Sequence, residues 1–273
     1  MKKEIKNIGN IQELDSDGCV INNLSIEKIQ SEYALILQEI IDLYQVHFKD
    51  VLHSIYIRGS VAKGKAIPHI SDIDTVAFIH RDLTEEENEK RSNISEPIQK
   101  KYPYATGVEV LMLPIDSIEK SRKIQFLLKT QCLCIYGEDL RANISKQPIG
   151  IGSYSHFFSL EKSMEGIKEW RKEKDAPEEE RICSWIMKGI VRTGFELVME
   201  KEQCYTRDLY PCYERFSKHY PAQAETMLKV LTLAVYPTND STITDDTIEE
   251  IKPFLLAEVK KLNSYLKDKY KPS

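Results

Sequence analysis

Residues 54–79 constrain this chain more than any other stretch. A short apolar segment, Ser54-Ile-Tyr-Ile-Arg58, ends at Gly59-Ser60, eleven residues follow, and Asp72-Ile-Asp74 opens a second apolar segment that runs to Ile79. Both segments have the length and composition of buried strands. A glycine after a buried strand lets the backbone turn tightly and come close to a ligand. A helix is expected from Val61 onward, and the N–H groups of the turn and of that helix start favour an anion. The Ser60 hydroxyl adds a donor for a phosphate oxygen. Residues i and i+2 of a strand share a face, so Asp72 and Asp74 project together while Ile73 packs inward. Two adjacent carboxylates repel unless a cation lies between them, and magnesium, which takes carboxylate and phosphate oxygens, meets that need. An isolated Asp-x-Asp reads as two solvated residues at a strand start. The Gly-Ser upstream and the apolar flanks set this one apart, and the layout becomes strand, phosphate loop, metal pair.

Gly59-Ser60 followed by Asp72-x-Asp74 resembles the signature of the polymerase-beta-type nucleotidyltransferase superfamily. The run Gly59-Ser-Val-Ala-Lys-Gly-Lys-Ala-Ile-Pro-His-Ile-Ser-Asp-Ile-Asp74 is most similar to the version in aminoglycoside O-adenylyltransferases of the streptomycin and spectinomycin class. The resemblance implies a third carboxylate on a later strand, and Val108-Glu109-Val110 supplies one. By its own pattern Glu109 either faces solvent or sits in a cleft; the resemblance places it beside the metal pair as general base. Arg58 departs from the family, where this position is often apolar or aromatic. It would touch a phosphate or pair with an acid.

At 273 residues, with 41% hydrophobic and 30% charged, the chain has room for two modest domains and reads as neither disordered nor membranous. It shows no membrane-length apolar run and no signal-peptide core, so a cytoplasmic enzyme is expected. The net charge of -5 argues against a nucleic-acid partner, which calls for a basic stripe, and suits a cationic small molecule. The six cysteines are expected to be reduced. Cys132-x-Cys134 puts two thiols on one strand face, but no second pair or histidine stands at zinc spacing.

Taken in order, residues 1–24 are a polar lead-in with a turn at Asp15-Ser-Asp-Gly18. Helical spacing from Ile26 to Tyr44 predicts an amphipathic helix from Ser25 to about Asp50. Strands follow at 54–58, 72–79, 107–113 and 131–136, with a capping box at Thr84-Glu-Glu-Glu87 and a helix from Asp116 to about Thr130. Residues 143–152 are the linker, and helices are expected over 153–172, 178–201, 208–219, 221–235 and 244–269. The fold class is α+β: an N-terminal nucleotidyltransferase domain (1–146), a small mixed sheet with flanking helices, then a C-terminal α-helical bundle domain (147–273). The active cleft is expected between them.

Two further places carry expectations from the resemblance. Thr206-Arg207-Asp208 lies where the family has a lysine on the nucleotide phosphates, which makes Arg207 a phosphate clamp; the plainer account is a helix cap and a solvated arginine. Glu178-Glu179-Glu180, with Trp170 and Trp185 on either side, matches loosely an acidic segment that receives the cationic antibiotic. Carboxylates at a helix start and a tryptophan at core spacing explain the same residues without a ligand. Lys188 and Arg192 form either an outer face or a second phosphate contact. The resemblance as a whole implies transfer of AMP from ATP, with Mg2+ (two ions) at Asp72 and Asp74, to the hydroxyl of a small acceptor such as an aminoglycoside. Transfer to a protein or RNA acceptor, and nucleotide binding without catalysis, are the alternatives.

Overall fold

The computed structural model describes residues 5–173 and 176–270. Its contacts divide the chain into two compact units, Ile21–Gln147 and Met1–Val20 together with Pro148–Ser273. The units change over between Gln147 and Pro148, and the N-terminal lead-in groups with the helical unit. Gln12 bridges to Tyr205 and Cys19 to Pro148, and the Asn10 N–H donates to the Asp208 carboxylate at 2.9 Å. A polar, non-periodic segment gives no sequence sign of such distant backbone partners. The Asp15–Gly18 turn forms as expected, with Asp15 accepting from the Asp17 and Cys19 N–H groups.

The first unit is a four-stranded sheet in the order β3-β2-β1-β4, made of β1 (Leu52–Arg58), β2 (Ile73–Ile79), β3 (Val108–Pro114) and β4 (Leu133–Gly137). β1 pairs antiparallel with β2 and β4, and β2 pairs parallel with β3, so the sheet is mixed. The parallel pair needs a crossover, which α3 (Glu85–Ser92) and α4 (Ser95–Lys101) supply. Thr84 and Glu87 form the full capping box at the start of α3.

Helix α1 (Ser31–Phe48) covers one face of the sheet, burying Tyr33, Ile36, Ile40 and Tyr44 against Ile55, Ile57, Ile73 and Ala77. It starts later than expected: Ile26–Lys28 is a separate 3-10 turn, and the Ser25 side chain makes no cap bond. Tyr56, Val76, Phe78, Leu128 and Cys132 pack on the other face. The predicted helix from Asp116 is two, α5 (Ser117–Lys120) and α6 (Arg122–Gln131), because Ser121 turns out of helical geometry and caps the second through the Ile124 N–H. Cys132 precedes β4 and lies with Cys134 on that same face; all six cysteines are free.

The second unit contains α7 (Leu160–Trp170), α8 (Glu179–Glu196), α9 (Met199–Glu202), α10 (Leu209–His219), α11 (Ala224–Val235) and α12 (Ser241–Lys269). α8 is its axis, with Ile182, Cys183, Ile186, Met187, Ile190 and Val191 buried. At Gly194 an added Cβ would crowd Met227 and Phe216, so the glycine lets α10 and α11 approach. Among the described residues no helix is long and apolar enough to cross a membrane.

Candidate active site

The strand pairing assembles the site. Asp74 is the register partner of Arg58 on β1 and of Glu109 on β3, so the three form one row across neighbouring strands. Alternation directs all three to the α6 face, and Asp72, two residues before Asp74, joins them. One oxygen from each of Asp72, Asp74 and Glu109 lies within 4.8 Å of the other two. That is near the span of about 4.2 Å across a magnesium ion with bonds of about 2.1 Å. The donors are hard carboxylate oxygens, so these residues fit such a cation. Glu109 is the outermost, with 53% of its side chain exposed, as befits a charged residue on an edge strand.

Arg58 is inside the cluster. Its Nη2 lies 2.7 Å from Asp74 Oδ1 and 3.0 Å from Glu109 Oε2. Burial opposes its charge, but Asp74 and Glu109 outweigh that and hold the guanidinium above its ordinary pKa. Cys132, beneath the row, has its thiol pushed up to about 12 by burial. It is a neutral apolar neighbour.

Gly59 adopts φ +74°, and a Cβ there would collide with Asp74 Oδ2. The glycine is required both by its backbone conformation and by the carboxylate stacked on it. The helix expected from Val61 onward is a single turn, α2 (Gly59–Ala62), ended by Gly64 in the left-handed region. Its dipole is correspondingly small, so donors of the turn and the Ser60 hydroxyl are what the loop offers an anion. The rest of the loop is pinned. The Gln30 side chain exchanges hydrogen bonds with both the N–H and the C=O of Ala66, and Ser71 Oγ accepts from the Ile67 N–H.

A buried chain of hydroxyls holds Glu109 from behind. Thr75 Oγ1 donates to the Glu109 carbonyl at 2.7 Å and thus accepts from the Tyr44 hydroxyl, also at 2.7 Å. Sequence reasoning read Tyr44 as core and passed over Thr75; a threonine between Asp74 and Val76 on a buried strand was the available signal. The concavity lined by Arg91, Ser92, Ser95, Val108 and Val110, about 280 Å³, borders β3 on the opposite face from Glu109.

In the helical unit, Arg207 Nη1 donates to Ser155 Oγ at 3.1 Å, and the Arg207 carbonyl accepts from Arg192 Nε at 3.2 Å. Both arginines line a small cavity with Ser155, His156, Glu196 and Tyr205. Arg207 is thus held in place. Thr206 does not cap α10; its hydroxyl donates to the Asn10 carbonyl and accepts from the Asp208 N–H. The Glu196 carboxylate is buried and accepts from the N–H groups of Ser155, His156 and Phe157 and from Ser155 Oγ. Burial alone would raise its pKa, but His156 and those N–H donors hold it below the usual carboxylate range. Burial, working against the pull of Glu196, lowers the His156 pKa from its ordinary value. Sequence reasoning missed this residue, although a glutamate inside the apolar run from Ile190 to Met199 marked it.

The acidic segment divides. Glu179 makes a two-pronged pair with Arg171, at 2.7 Å to both Nε and Nη2, and Arg171 also binds Asp245 at 2.8 Å. Glu178 is exposed at the N-cap of α8. Trp185 is not in the core: it is 49% exposed and stacks edge-on against Trp170 at 5.2 Å. The buried stripe of α8 leaves position 185 on the outer flank.

Residues 26–133 match the family model described as nucleotidyltransferase domain. No curated protein sequence matches the chain. Among solved structures, it is similar to spectinomycin adenyltransferase AAD(9) from Enterococcus faecialis with ATP and spectinomycin, at 16% identity and a TM-score of 0.47, over 82% of this chain and 98% of that one. The matched residues contain Gly59-Ser60 and all three acids of the cluster, so the part of the chain that matches a nucleotidyltransferase domain is the part that builds the site.

Proposed function

We propose that this enzyme transfers AMP from ATP to a hydroxyl of a small cationic acceptor of the aminoglycoside class, releasing pyrophosphate. The observation that carries the reading is the convergence of Asp72, Asp74 and Glu109 beside the Gly59-Ser60 turn. The acceptor class rests on the resemblance of residues 59–74 and on the net charge of -5. Asp72 and Asp74 are the residues that would hold magnesium, which when bound supplies neutralisation of phosphate charge and orientation of the reacting oxygens.

The chain's own residues do the rest. Backbone donors of Gly59 and Ser60 and the Ser60 hydroxyl bind phosphate oxygens. Arg207, fixed by Ser155 and next to Arg192, binds phosphate through its planar fork. Glu109, exposed enough to meet an acceptor, takes the proton from the attacking hydroxyl. The new bond joins the acceptor oxygen to the α-phosphorus, the bond to the β-phosphate oxygen breaks, and pyrophosphate leaves with that electron pair. Glu178 and the exposed Trp185 are the candidates for cationic acceptor contact; Glu179, committed to Arg171, acts through that pair.

The test is pyrophosphate release from ATP and Mg2+ with streptomycin, spectinomycin, a wider aminoglycoside panel and no acceptor, with Asp74→Asn as control. Acceptor-dependent release that the variant lacks is expected. Metal-dependent ATP binding without release for any small acceptor overturns the acceptor class and directs the assay to protein and RNA hydroxyls.

A further inference from the structure

We propose that Arg58 is a resident cation that competes with the divalent metal for Asp74 and Glu109 and passes to the phosphates when metal and nucleotide bind together. This rests on the reading of Asp72 and Asp74 as metal ligands and deepens it into a statement about how the two ligands depend on each other. A single nitrogen, Nη2, contacts Asp74 Oδ1 and Glu109 Oε2, so one positive donor relieves the repulsion between two carboxylates. The other Asp74 oxygen, Oδ2, faces Gly59, where even a Cβ would not fit. An ion that binds Asp74 through Oδ1 draws on the oxygen that Arg58 already holds.

Releasing Arg58 has its own cost. Its side chain is 18% exposed, and a largely buried charge stripped of its partner is strongly unfavourable. An anion arriving with the metal removes that cost. A triphosphate is such an anion, and a guanidinium fork matches its oxygens. Metal alone and nucleotide alone each bind weakly, each strengthens the other, and the coupling is the same in both directions. Arg58 thus makes the carboxylate cluster stable when empty and selective for a metal that comes with phosphate.

The test uses Mn2+ as the probe, titrated by calorimetry and electron paramagnetic resonance into the full chain as wild type, Arg58→Met, Arg58→Lys and Asp74→Asn, with and without a non-hydrolysable ATP analogue. Without nucleotide, Arg58→Met is expected to bind Mn2+ about tenfold more tightly than wild type, a coupling of ordinary size. With the analogue present the gain disappears. Arg58→Lys, which keeps the charge but not the fork, falls between. Mn2+ also raises the melting temperature of Arg58→Met more than that of wild type, so a variant weakened in the absence of metal still reports. Equal Mn2+ affinity in wild type and Arg58→Met, with none in Asp74→Asn, overturns the proposal and leaves the metal reading standing. Undiminished binding in Asp74→Asn overturns the metal reading, and the proposal with it.

Discussion

Asp74 and Glu109 are register partners across the parallel pair β2 and β3, and their carboxylates meet the same guanidinium nitrogen of Arg58. Asp74 has the most neighbours to serve: it pairs with Arg58, stacks on Gly59 and stands within reach of Asp72. Asp74→Asn keeps the shape and removes the charge. Turnover is expected to fall on the order of a thousandfold, given the several kcal/mol that metal-ion catalysis supplies, while circular dichroism stays that of the folded protein. A variant that turns over at the wild-type rate would remove the cluster from the chemistry.

Gly59→Ala tests the loop from the other side. A methyl group at φ +74° meets Asp74 Oδ2, so either the turn or the carboxylate must move. The left-handed conformation alone costs about 1–3 kcal/mol for a residue with a Cβ. A lower melting temperature is expected together with weaker Mn2+ binding. Loss of stability with Mn2+ affinity intact would mean that the turn and Asp74 are not mechanically linked.

Thr75→Val removes the hydroxyl between Tyr44 and the Glu109 carbonyl and leaves both ends buried without that partner. A cost of about 1–3 kcal/mol is expected, and about 1 kcal/mol for Tyr44→Phe. If the chain of hydroxyls aims Glu109, kcat falls in Thr75→Val while KM for ATP holds, and Thr75→Ser restores it. Steady-state kinetics of the three variants decide this.

Acid stability of the helical unit follows from Glu196. Its folded pKa lies below the unfolded value of about 4.3, so the stability it contributes is present above that pH and is lost as pH falls through the folded value. Glu196→Gln is expected to cost about 3 kcal/mol at neutral pH by breaking a buried hydrogen-bonded charge. It should also flatten the loss of stability below about pH 4.3. Glu202, drawn down to about 2 by Lys218 and His219, is present in both proteins, so the difference between their denaturation curves isolates Glu196.

Much of this was legible in residue order. Apolar patterning located all four strands to within two or three residues, and the spacing from Gly59 to Asp74 located the Asp72 and Asp74 pair, because both depend on local backbone geometry, whereas Glu109 was placed beside them only by the family resemblance. What was not legible depends on which strands become neighbours. That Arg58 falls opposite Asp74, and Asp74 opposite Glu109, is a matter of register. The pairing of Arg58 with both acids follows from it. Trp185 was misplaced because spacing from Ile182 and Ile186 fits a core stripe until Cys183 and Met187 show which way the stripe runs. The isolation of α2 as one turn depends on Gly64 approaching the Lys28 carbonyl, a contact between segments distant in sequence.

The bridges from Gln12 to Tyr205 and from Cys19 to Pro148 have a consequence for biosynthesis. The sheet unit is, in effect, a passenger inserted into the helical one, which is left and re-entered at adjacent points of the backbone. A nascent chain presents residues 5–20 to the cell long before the strand segment around Tyr205 emerges, whereas Ile21–Gln147 can close its own core at once. Domains tend to fold as units during synthesis, and contacts 196 residues apart, as between Asn10 and Thr206, come late. Residues 5–20 are therefore translated before the sheet unit and finished after it.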